Sequence, residues 1–442
     1  MSHKINFVLL FLICGLNFSA GWAQAPLSLD EALRLARKNS LQLRAQAEIE
    51  RAAQLEEWVQ KANLLPSLDL SFSSTYFSRV NEIDLSQTIG IPGRRVELGG
   101  HDRSELIFGV RQPIFTGYRL RGRVDLAKNS TLSETAKLEV VFNEIYHRIH
   151  QLFYKAQSLY TQRKILETSM RRLNVQLENV RNLFAAEQAM AFDTLQVYSG
   201  RLSTNIELEN NQLNTRLTTL QMARLLDLPE MRPIAEVELL RPTSEWADVQ
   251  RLQDEAAQKR PELESVRLAQ QGMRIQQKLA RANYFPAVYG QANFHYAKPG
   301  LNPVTDEWME YFSAGVNLQW NLWRWGGDQK KVEEFEVLGH RLELEERELQ
   351  RSIAYEVADG FENFQFSLEQ WRLAEELQAQ QAERYRIVSV QHQNGVASTN
   401  DMVTAEADLT RAELQTQQAL IGYYLNLANL KRAVGAIGET IQ

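Results

Sequence analysis

Hydrophobic residues recur every three or four positions through a long central stretch that contains no proline between Pro113 and Pro229. One polar slot, Arg163, interrupts this stripe, whose apolar members are Ile145, Ile149, Leu152, Ala156, Leu159, Leu166, Met170, Leu173, Leu177, Val180 and Phe184. Steps that alternate between four and three residues are typical of helices that pack in coiled coils. The pattern predicts one helix from about Tyr118 to Phe184, with about 67 residues and a length of roughly 100 Å.

Four shorter segments alternate between apolar and polar residues, as strands do. They are Ser67–Phe77, Glu105–Phe115, Ala287–Ala297 and residues 311–323. In the last of them one face carries Phe312, Ala314, Val316, Leu318, Trp320 and Leu322. Segments of about ten residues with this alternation and with aromatic ends are typical of outer-membrane barrels, although a soluble sheet with one buried face shows the same pattern. The aromatic residues expected at the membrane interfaces are Tyr76, Phe115, Tyr296, Trp320 and Trp323.

Four strands cannot close a barrel, and a bilayer excludes open strand edges. A membrane location therefore requires several chains to share one barrel. A dimer, a trimer or a tetramer would each satisfy this condition.

The order of elements occurs twice along the chain. Residues 26–230 predict helix, two strands, long helix and shorter helix, and residues 248–436 predict the same order after a proline-bearing linker at 231–247. The first helix is expected from Ser28 to about Asn63, with Ser28 as N-cap and Glu31 completing a capping box. The second long helix is expected at Gly327–Gln391. Two further pairs of segments correspond, Ala36–Ser40 with Ala257–Pro261 and Lys61–Pro66 with Arg281–Pro286.

The N-terminus has the pattern of a secretory signal peptide over residues 1–25. Lys4 precedes an apolar run and small residues follow, so cleavage is expected after Ala23 or Ala25; an uncleaved membrane anchor is the alternative. The only cysteine of the 442 residues, Cys14, lies in this segment. No later stretch has the roughly 18 apolar residues of a membrane-spanning helix, so we expect an exported chain that can span a membrane only through strands.

Composition excludes several function classes. The net charge of −6 and the pI near 5.8 indicate no basic face for nucleic acid. The glycines Gly90, Gly93, Gly99 and Gly100 fall between two strands rather than between a strand and a helix, so they do not form a phosphate-binding loop. With no nucleophile elbow either, we expect no enzyme, no cofactor, and no catalytic or metal-binding residue.

The duplicated order of elements resembles the TolC family of outer membrane efflux proteins. The segments Asn63–Pro66 and Asn283–Pro286 resemble the strand beginnings of that family, and Gly395–Val403 followed by Ala405-Glu406 resembles its second tip turn. The resemblance implies a mainly helical homotrimer with a coiled-coil α-barrel. Each chain would also add four antiparallel transmembrane strands to a shared 12-stranded β-barrel.

The same resemblance implies an outer-membrane channel of a Gram-negative bacterium that contacts membrane lipid and extends into the periplasm. It would be a passive exit duct for small toxic molecules, docked to a periplasmic adaptor and an inner-membrane transporter. The same tunnel could instead serve type I protein secretion. A soluble periplasmic coiled-coil binding protein is the alternative from another class.

For the periplasmic tip the resemblance implies specific residues. Asp193 and Asp401 would line the pore constriction, where carboxylates favour cations; their positions also suit helix N-caps. The two tip turns expected to dock the adaptor comprise Met190, Ala191, Phe192, Gly395, Val396, Ala397 and Ser398. The chain departs from the family pattern at Thr404, where a second acid is expected, and at Ala397 and His392, where a gating arginine and tyrosine are expected. The first tip turn also lacks the expected glycine.

Overall fold

The fold is given by a computed structural model, which describes residues 25–84, 95–98, 100–229, 232–243, 248–302 and 305–436. Residues 1–24 of the predicted signal peptide, with Cys14 and Ala23, lie outside the described residues, as do the C-terminal tail at 437–442 and parts of the predicted linker at 231–247.

Helices make up most of the described chain, and the predicted fold class is confirmed. The first half contains α1 Leu29–Asn39, α2 Leu41–Ala62, β1 Ser67–Tyr76, β2 Asn81–Asp84, β3 Arg95–Leu98, β4 Asp102–Phe115, α3 Arg119–Ala185 and α4 Ala191–Leu225. The second half contains α5 Val249–Lys259, α6 Pro261–Arg281, β5 Ala287–Lys298, β6 Met309–Gln319, α7 Gly327–Gln393 and α8 Thr399–Val434.

Contacts divide the chain into two compact units. Unit 1 comprises the described parts of Met1–Ala36, Ile149–Pro242 and Gln370–Gly422, and unit 2 comprises those of Arg37–Arg148, Thr243–Glu369 and Tyr423–Gln442. The boundary falls inside α3 and α7, so each unit draws residues from both predicted repeats.

The predicted long helix is confirmed with bounds one residue later, and its counterpart has the same length of 67 residues. Most of the predicted stripe is buried, namely Ile145, Ile149, Leu152, Ala156, Leu159, Leu166, Leu173, Leu177 and Val180. Met170 is half-buried, and Phe184 is exposed because it lies in the last turn of α3. The heptad pattern therefore identifies the packed face of the helix correctly until the helix ends.

The prediction of one continuous helix from Ser28 to Asn63 is wrong, because the segment forms two helices, α1 and α2. The Oγ atom of Ser28 accepts the N–H of Glu31 at 3.2 Å, which confirms the N-cap. At Ser40, however, the backbone leaves the helical region (φ −53°, ψ 119°), and the chain continues as α2. Short polar side chains such as those of Asn39 and Ser40 compete with helical hydrogen bonds, which favours a break at this point.

The same break occurs in the second half at Arg260 (φ −70°, ψ 116°), and here Pro261 explains it. A proline disfavours the helical conformation of the residue that precedes it. Aligning Ser40 with Arg260 pairs Ala36 with Ala256, and both alanines are fully buried. The predicted pairing of Ala36 with Ala257 was one residue out of register.

The four predicted strands form one antiparallel sheet in the order β1-β4-β5-β6. One row across its apolar face joins Leu70, Phe108, Phe294 and Phe312. The adjacent row on the opposite face joins Asp69, Gly109, Asn293 and Ser313. The predicted alternation is therefore continuous across all four strands.

The last strand ends earlier than predicted, at Gln319 rather than near residue 323, so Trp320 and Trp323 follow the strand. Gln319 pairs with Ala287, and the residue that would face Trp320 is Pro286. Proline has no N–H to donate, so the ladder stops there.

A short two-stranded ribbon, β2 with β3, lies in the segment predicted only as a glycine-rich loop. Its strands have four residues each, too few to show alternation in the sequence.

At each junction between the sheet and a long helix, two successive residues have a left-handed backbone conformation, with positive φ. They are Gly117 and Tyr118 before α3 (φ 61° and 67°) and Trp325 and Gly326 before α7 (φ 54° and 77°). At Gly117 a Cβ would lie 2.7 Å from the carbonyl oxygen of Ala282, so no larger residue fits without a shift. Each junction therefore combines one glycine with one aromatic residue, in opposite order.

Candidate functional site

The turn between α3 and α4, in unit 1, closes with two backbone hydrogen bonds. The N–H of Gln188 donates to the carbonyl of Leu183 at 2.8 Å, and that of Glu187 donates to Phe184 at 3.0 Å. This pair of bonds defines a Schellman helix terminus, in which the residue after the cap is left-handed. That residue is Glu187, with φ 57°.

The turn between α7 and α8, also in unit 1, closes in the same way. Val396 donates to Gln391 at 2.9 Å and Gly395 donates to His392 at 3.0 Å. Gly395 takes the left-handed position, with φ 73°. The glycine absent from the first tip turn is therefore replaced by Glu187, which adopts a conformation that is costly for a residue with a side chain.

The two predicted tip aspartates cap the helices that follow the turns. Asp193 accepts the N–H of Met190 at 2.9 Å. Asp401 accepts the N–H of Ser398 at 3.0 Å and its hydroxyl at 2.6 Å. Both lie three residues after the N-cap, so neither is the N-cap itself. Asp401 completes a capping box, because the hydroxyl of Ser398 accepts the N–H of Asp401 at 3.2 Å, whereas the N–H of Asp193 donates to the backbone carbonyl of Met190 at 3.1 Å. The hydroxyl and the N–H of Ser398 lower the pKa of the exposed Asp401 carboxyl.

The predicted docking residues form an exposed surface. Met190 is 74% exposed, Phe192 68% and Val396 75%. Ala191, Gly395 and Ser398 are also exposed, and Ala397 is half-buried. Large exposed apolar side chains grouped in this way are typical of interaction sites.

The two helices that follow the tip turns are joined by a hydrogen bond. The side-chain amide of Gln196 on α4 donates to Asn400 on α8. Beneath this contact, Leu177 and Val180 of α3 and Val197 of α4 form a buried cluster against Val403 of α8. The structure therefore brings α3, α4 and α8 together behind the two turns.

Two charged groups near the tip were not identified from the sequence. On α8, Asp408 accepts hydrogen bonds from Arg384 and Arg411, both at 2.8 Å. It lies two helical turns after Asp401, so the heptad spacing could have revealed it.

The second group centres on Arg172 of α3, which contacts Glu406, Thr410 and Glu413 of α8. These three α8 residues are spaced by four and then three positions, so the sequence already placed them on one face of the helix. At the expected latch positions, Nε2 of His392 lies 3.5 Å from Oγ1 of Thr399, and Ala397 carries no polar group.

The sheet, in unit 2, carries the predicted interface aromatics at both of its ends. At one end Tyr76 stacks on His101 and Tyr296 stacks on Trp308, with ring centroids 5.7 and 4.6 Å apart. At the end where the helices attach, Phe115 lies edge-on to Phe285 at 6.5 Å.

At the end of the sheet where the helices attach, Nε1 of Trp320 also donates to the carbonyl of Tyr284 at 3.1 Å. Trp323 lies edge-on to Trp325, with ring centroids 6.2 Å apart. Aromatic residues at both ends of an apolar band are typical of the two membrane interfaces.

The polar face of the sheet holds a hydrogen-bonded network. His295 contacts Glu105 through Nδ1 and Ser313 through Nε2, each at 2.8 Å. Tyr311 stacks on the His295 ring at 4.4 Å and donates to Glu105 at 3.4 Å. Both ring nitrogens of His295 are therefore engaged.

Within the described ranges, no helix has the length and hydropathy to cross a membrane. In the same part of the chain, no group of three or more histidine, cysteine, aspartate or glutamate side chains could hold a metal ion.

A family profile described as "Outer membrane efflux protein" matches residues 32–226 and 252–436. No curated protein matches the sequence. Solved structures share the fold at low identity. CusC superposes with a TM-score of 0.78 at 15% identity, covering 93% of this chain and 92% of that chain.

The outer membrane protein VceC of Vibrio cholerae superposes with a TM-score of 0.75 at 18% identity, covering 92% of this chain and 96% of that chain. The CmeC outer membrane channel of Campylobacter jejuni superposes with a TM-score of 0.77 at 13% identity, covering 92% of this chain and 85% of that chain.

Proposed function

Since this chain belongs to the outer membrane efflux protein family, we propose that it is the channel subunit of a tripartite efflux system. Three copies share one β-barrel in the outer membrane of a Gram-negative bacterium, and their helices continue as a tunnel into the periplasm. The channel is a passive exit duct for small toxic molecules. A periplasmic adaptor docks on it and connects it to an inner-membrane transporter.

The observation that carries this proposal is the sheet. Leu70, Phe72 and Phe312 on its apolar face are all exposed in the single chain. The outer edges of β1 and β6 pair with no other strand among the described residues. A bilayer tolerates such a face but not such edges, so neighbouring copies must pair them.

Exposed apolar stripes in unit 1 support assembly of several copies. On α4 the stripe comprises Leu195, Leu202, Ile206, Leu213, Leu217 and Leu220. On α7 it comprises Leu373, Leu377, Ile387 and Val390. Heptad-spaced apolar residues need a partner helix, and in a trimer the α4 stripe of one copy can be covered by the α7 stripe of the next.

At the tip, the exposed Met190, Phe192 and Val396 supply the apolar surface on which an adaptor docks, with Ala191, Gly395, Ala397 and Ser398 around them. Asp193 and Asp401, three of each in a trimer, give the narrow end of the duct its negative charge and favour cations. Asp408 adds little to this field because Arg384 and Arg411 neutralise it.

Single-channel recording of the purified protein in a planar bilayer tests the proposal. We expect discrete conductance steps with cation selectivity, and a reversal potential nearer zero for the double variant Asp193→Asn, Asp401→Asn. The matched control is Glu207→Gln, an exposed carboxylate on α4, which should leave selectivity unchanged. A water-soluble monomer without conductance would refute the channel and favour a soluble coiled-coil binding protein.

Cargo is a separate question, because a duct for type I secretion can have the same structure. Restoring drug resistance in an efflux-deficient strain, without restoring secretion of a peptide substrate, distinguishes the two.

A further inference from the structure

The helices that meet the sheet in unit 2 carry a group of cations at their ends. Arg121 and Arg123 lie in the first turns of α3, and Lys278 and Arg281 lie in the last turn of α6. All four side chains are exposed. We call these residues the cationic cluster.

The two halves of the cationic cluster are held side by side by a close helix contact. A Cβ built on Gly122 would lie 2.7 Å from a methyl carbon of Leu279, so the backbone of α3 approaches α6 at this point. Arg121 and Arg123 flank the glycine, and Lys278 neighbours the leucine. Residues two positions apart point to different sides of a helix, so Arg121 and Arg123 lie on either side of this contact. The contact therefore brings cations of both helices to the same level, beside the sheet.

Neighbouring cations differ from the cluster because carboxylates already neutralise them. Lys61 pairs with Glu57 at 2.7 Å and Arg324 pairs with Asp328 at 3.2 Å. Lys330 and Lys331 pair with glutamates three residues later.

No such partner holds the cationic cluster within the residues that the structure describes. Asp125, the nearest carboxylate along α3, also makes no ion pair there. The cluster therefore has free positive charge to offer to a ligand.

Exposed aromatic residues lie next to the cationic cluster on the side of the sheet. Tyr118 immediately precedes α3, three residues before Arg121, and Tyr284 follows the end of α6 at Arg281 by three residues. Tyr118 also lies edge-on to Phe285, with ring centroids 6.3 Å apart. Tyrosine and tryptophan at this position mark the level of lipid headgroups, and arginine and lysine beside them reach the phosphates.

We propose that the cationic cluster binds the phosphate of an anionic phospholipid in the leaflet of the outer membrane that faces the helices. This inference rests on the membrane placement proposed above. The aromatic residues place the cluster at headgroup depth, and its unpaired charge selects an anionic lipid over a zwitterionic one. Binding there fixes the height of the sheet in the bilayer at the point where strands become helices.

Native mass spectrometry of the full-length protein, released from detergent with phosphatidylglycerol or phosphatidylethanolamine, tests this inference. We expect retention of phosphatidylglycerol in preference to phosphatidylethanolamine. Each of the pairs Arg121→Gln, Arg123→Gln and Lys278→Gln, Arg281→Gln should weaken that binding about thirtyfold, since each pair removes two cations near the surface. The charge-matched control is Arg216→Gln, Arg224→Gln on α4, which should leave lipid retention unchanged.

Two outcomes would overturn the inference. One is retention of phosphatidylglycerol that is the same in the wild type and in the cluster variants. The other is displacement of phosphatidylglycerol by an equal concentration of glycerol 1-phosphate, which would indicate a site for soluble phosphates. Bilayer conductance of the same preparations separates the two proposals, because a conducting variant with unchanged lipid retention contradicts only the lipid site.

Discussion

Nε of Arg172 donates to the carboxylate of Glu406 at 3.1 Å, and so joins α3 from the first half of the sequence to α8 from the second. The pair is well shielded from solvent, with side-chain exposures of 16% for Arg172 and 4% for Glu406. The guanidinium also donates to Glu413 at 3.0 Å, and the hydroxyl of Thr410 donates to Glu406 at 2.8 Å. One cation therefore satisfies two carboxylates in a helix interface.

Replacing Arg172 with methionine should lower the free energy of unfolding by about 3–5 kcal/mol, because it leaves buried carboxylates without their partner. Thermal unfolding in detergent, followed by circular dichroism, measures the change. The control is Arg241→Met, which removes an exposed ion pair with Glu375. The Arg241 side chain is 82% exposed and that of Glu375 is 43% exposed. An exposed pair contributes about 0–1 kcal/mol. Equal effects of the two substitutions would contradict a stabilising role for the buried pair.

The tip turns provide a second prediction. Glu187→Gly should stabilise the protein and Gly395→Ala should destabilise it, each by about 1 kcal/mol, because both positions are left-handed. No atom lies within 4 Å of a Cβ built on Gly395, so the alanine tests backbone strain alone.

The control for the first turn is Ala185→Gly, at the last residue of α3, where glycine should lower stability. If Glu187→Gly also lowers the melting temperature, the left-handed conformation assigned to Glu187 is wrong.

The third prediction concerns how the stability contributed by Glu356 changes at acid pH. Burial tends to raise the pKa of Glu356, but hydrogen bonds and charge from Arg432 and Arg260 outweigh it and hold that pKa below its usual value of 4.5. A carboxyl whose pKa is lower in the folded state contributes its stability above the unfolded value and loses it as pH falls through the folded value. The difference in melting temperature between wild type and Glu356→Gln should therefore shrink as pH falls below about 4.5.

Melting curves between pH 7 and pH 3 check this. The exposed Glu348→Gln variant, on the same helix, should differ little from the wild type at any pH. A difference for Glu356→Gln that stays constant across the range would rule out a contribution from the two arginines.

The sequence was sufficient for the elements whose pattern repeats often. A proline-free stretch and eleven heptad-spaced apolar residues together predicted α3 to within one residue at each end, and alternation predicted the four long strands. Local exceptions were harder. Nothing in the apolar pattern interrupts the helix at Ser40, and the end of β6 depends on Pro286 in the partner strand, which alternation within β6 does not reveal.

The candidate site shows the same limit. The sequence located both tip turns and their aspartates, but it treated the missing glycine as a departure, whereas Glu187 adopts the required conformation. Arg172 was missed because its partners lie on α8, at least 234 residues further along the chain, and Asp408 was missed because one of its two partners, Arg384, lies on α7. Such pairs become visible only once the register between helices is known.

Among the residues that the structure describes, the outer edges of β1 and β6 pair with no other strand, and this limits how the proposed assembly can form. Before assembly, β1 and β6 each present a row of free backbone groups beside an apolar surface, and any extended chain nearby can add to them. The hydrocarbon layer cannot accept those groups unpaired. If the chain assembles as proposed, membrane insertion of one copy is coupled to capture of its neighbours, and these edges need shielding until the proposed ring has closed.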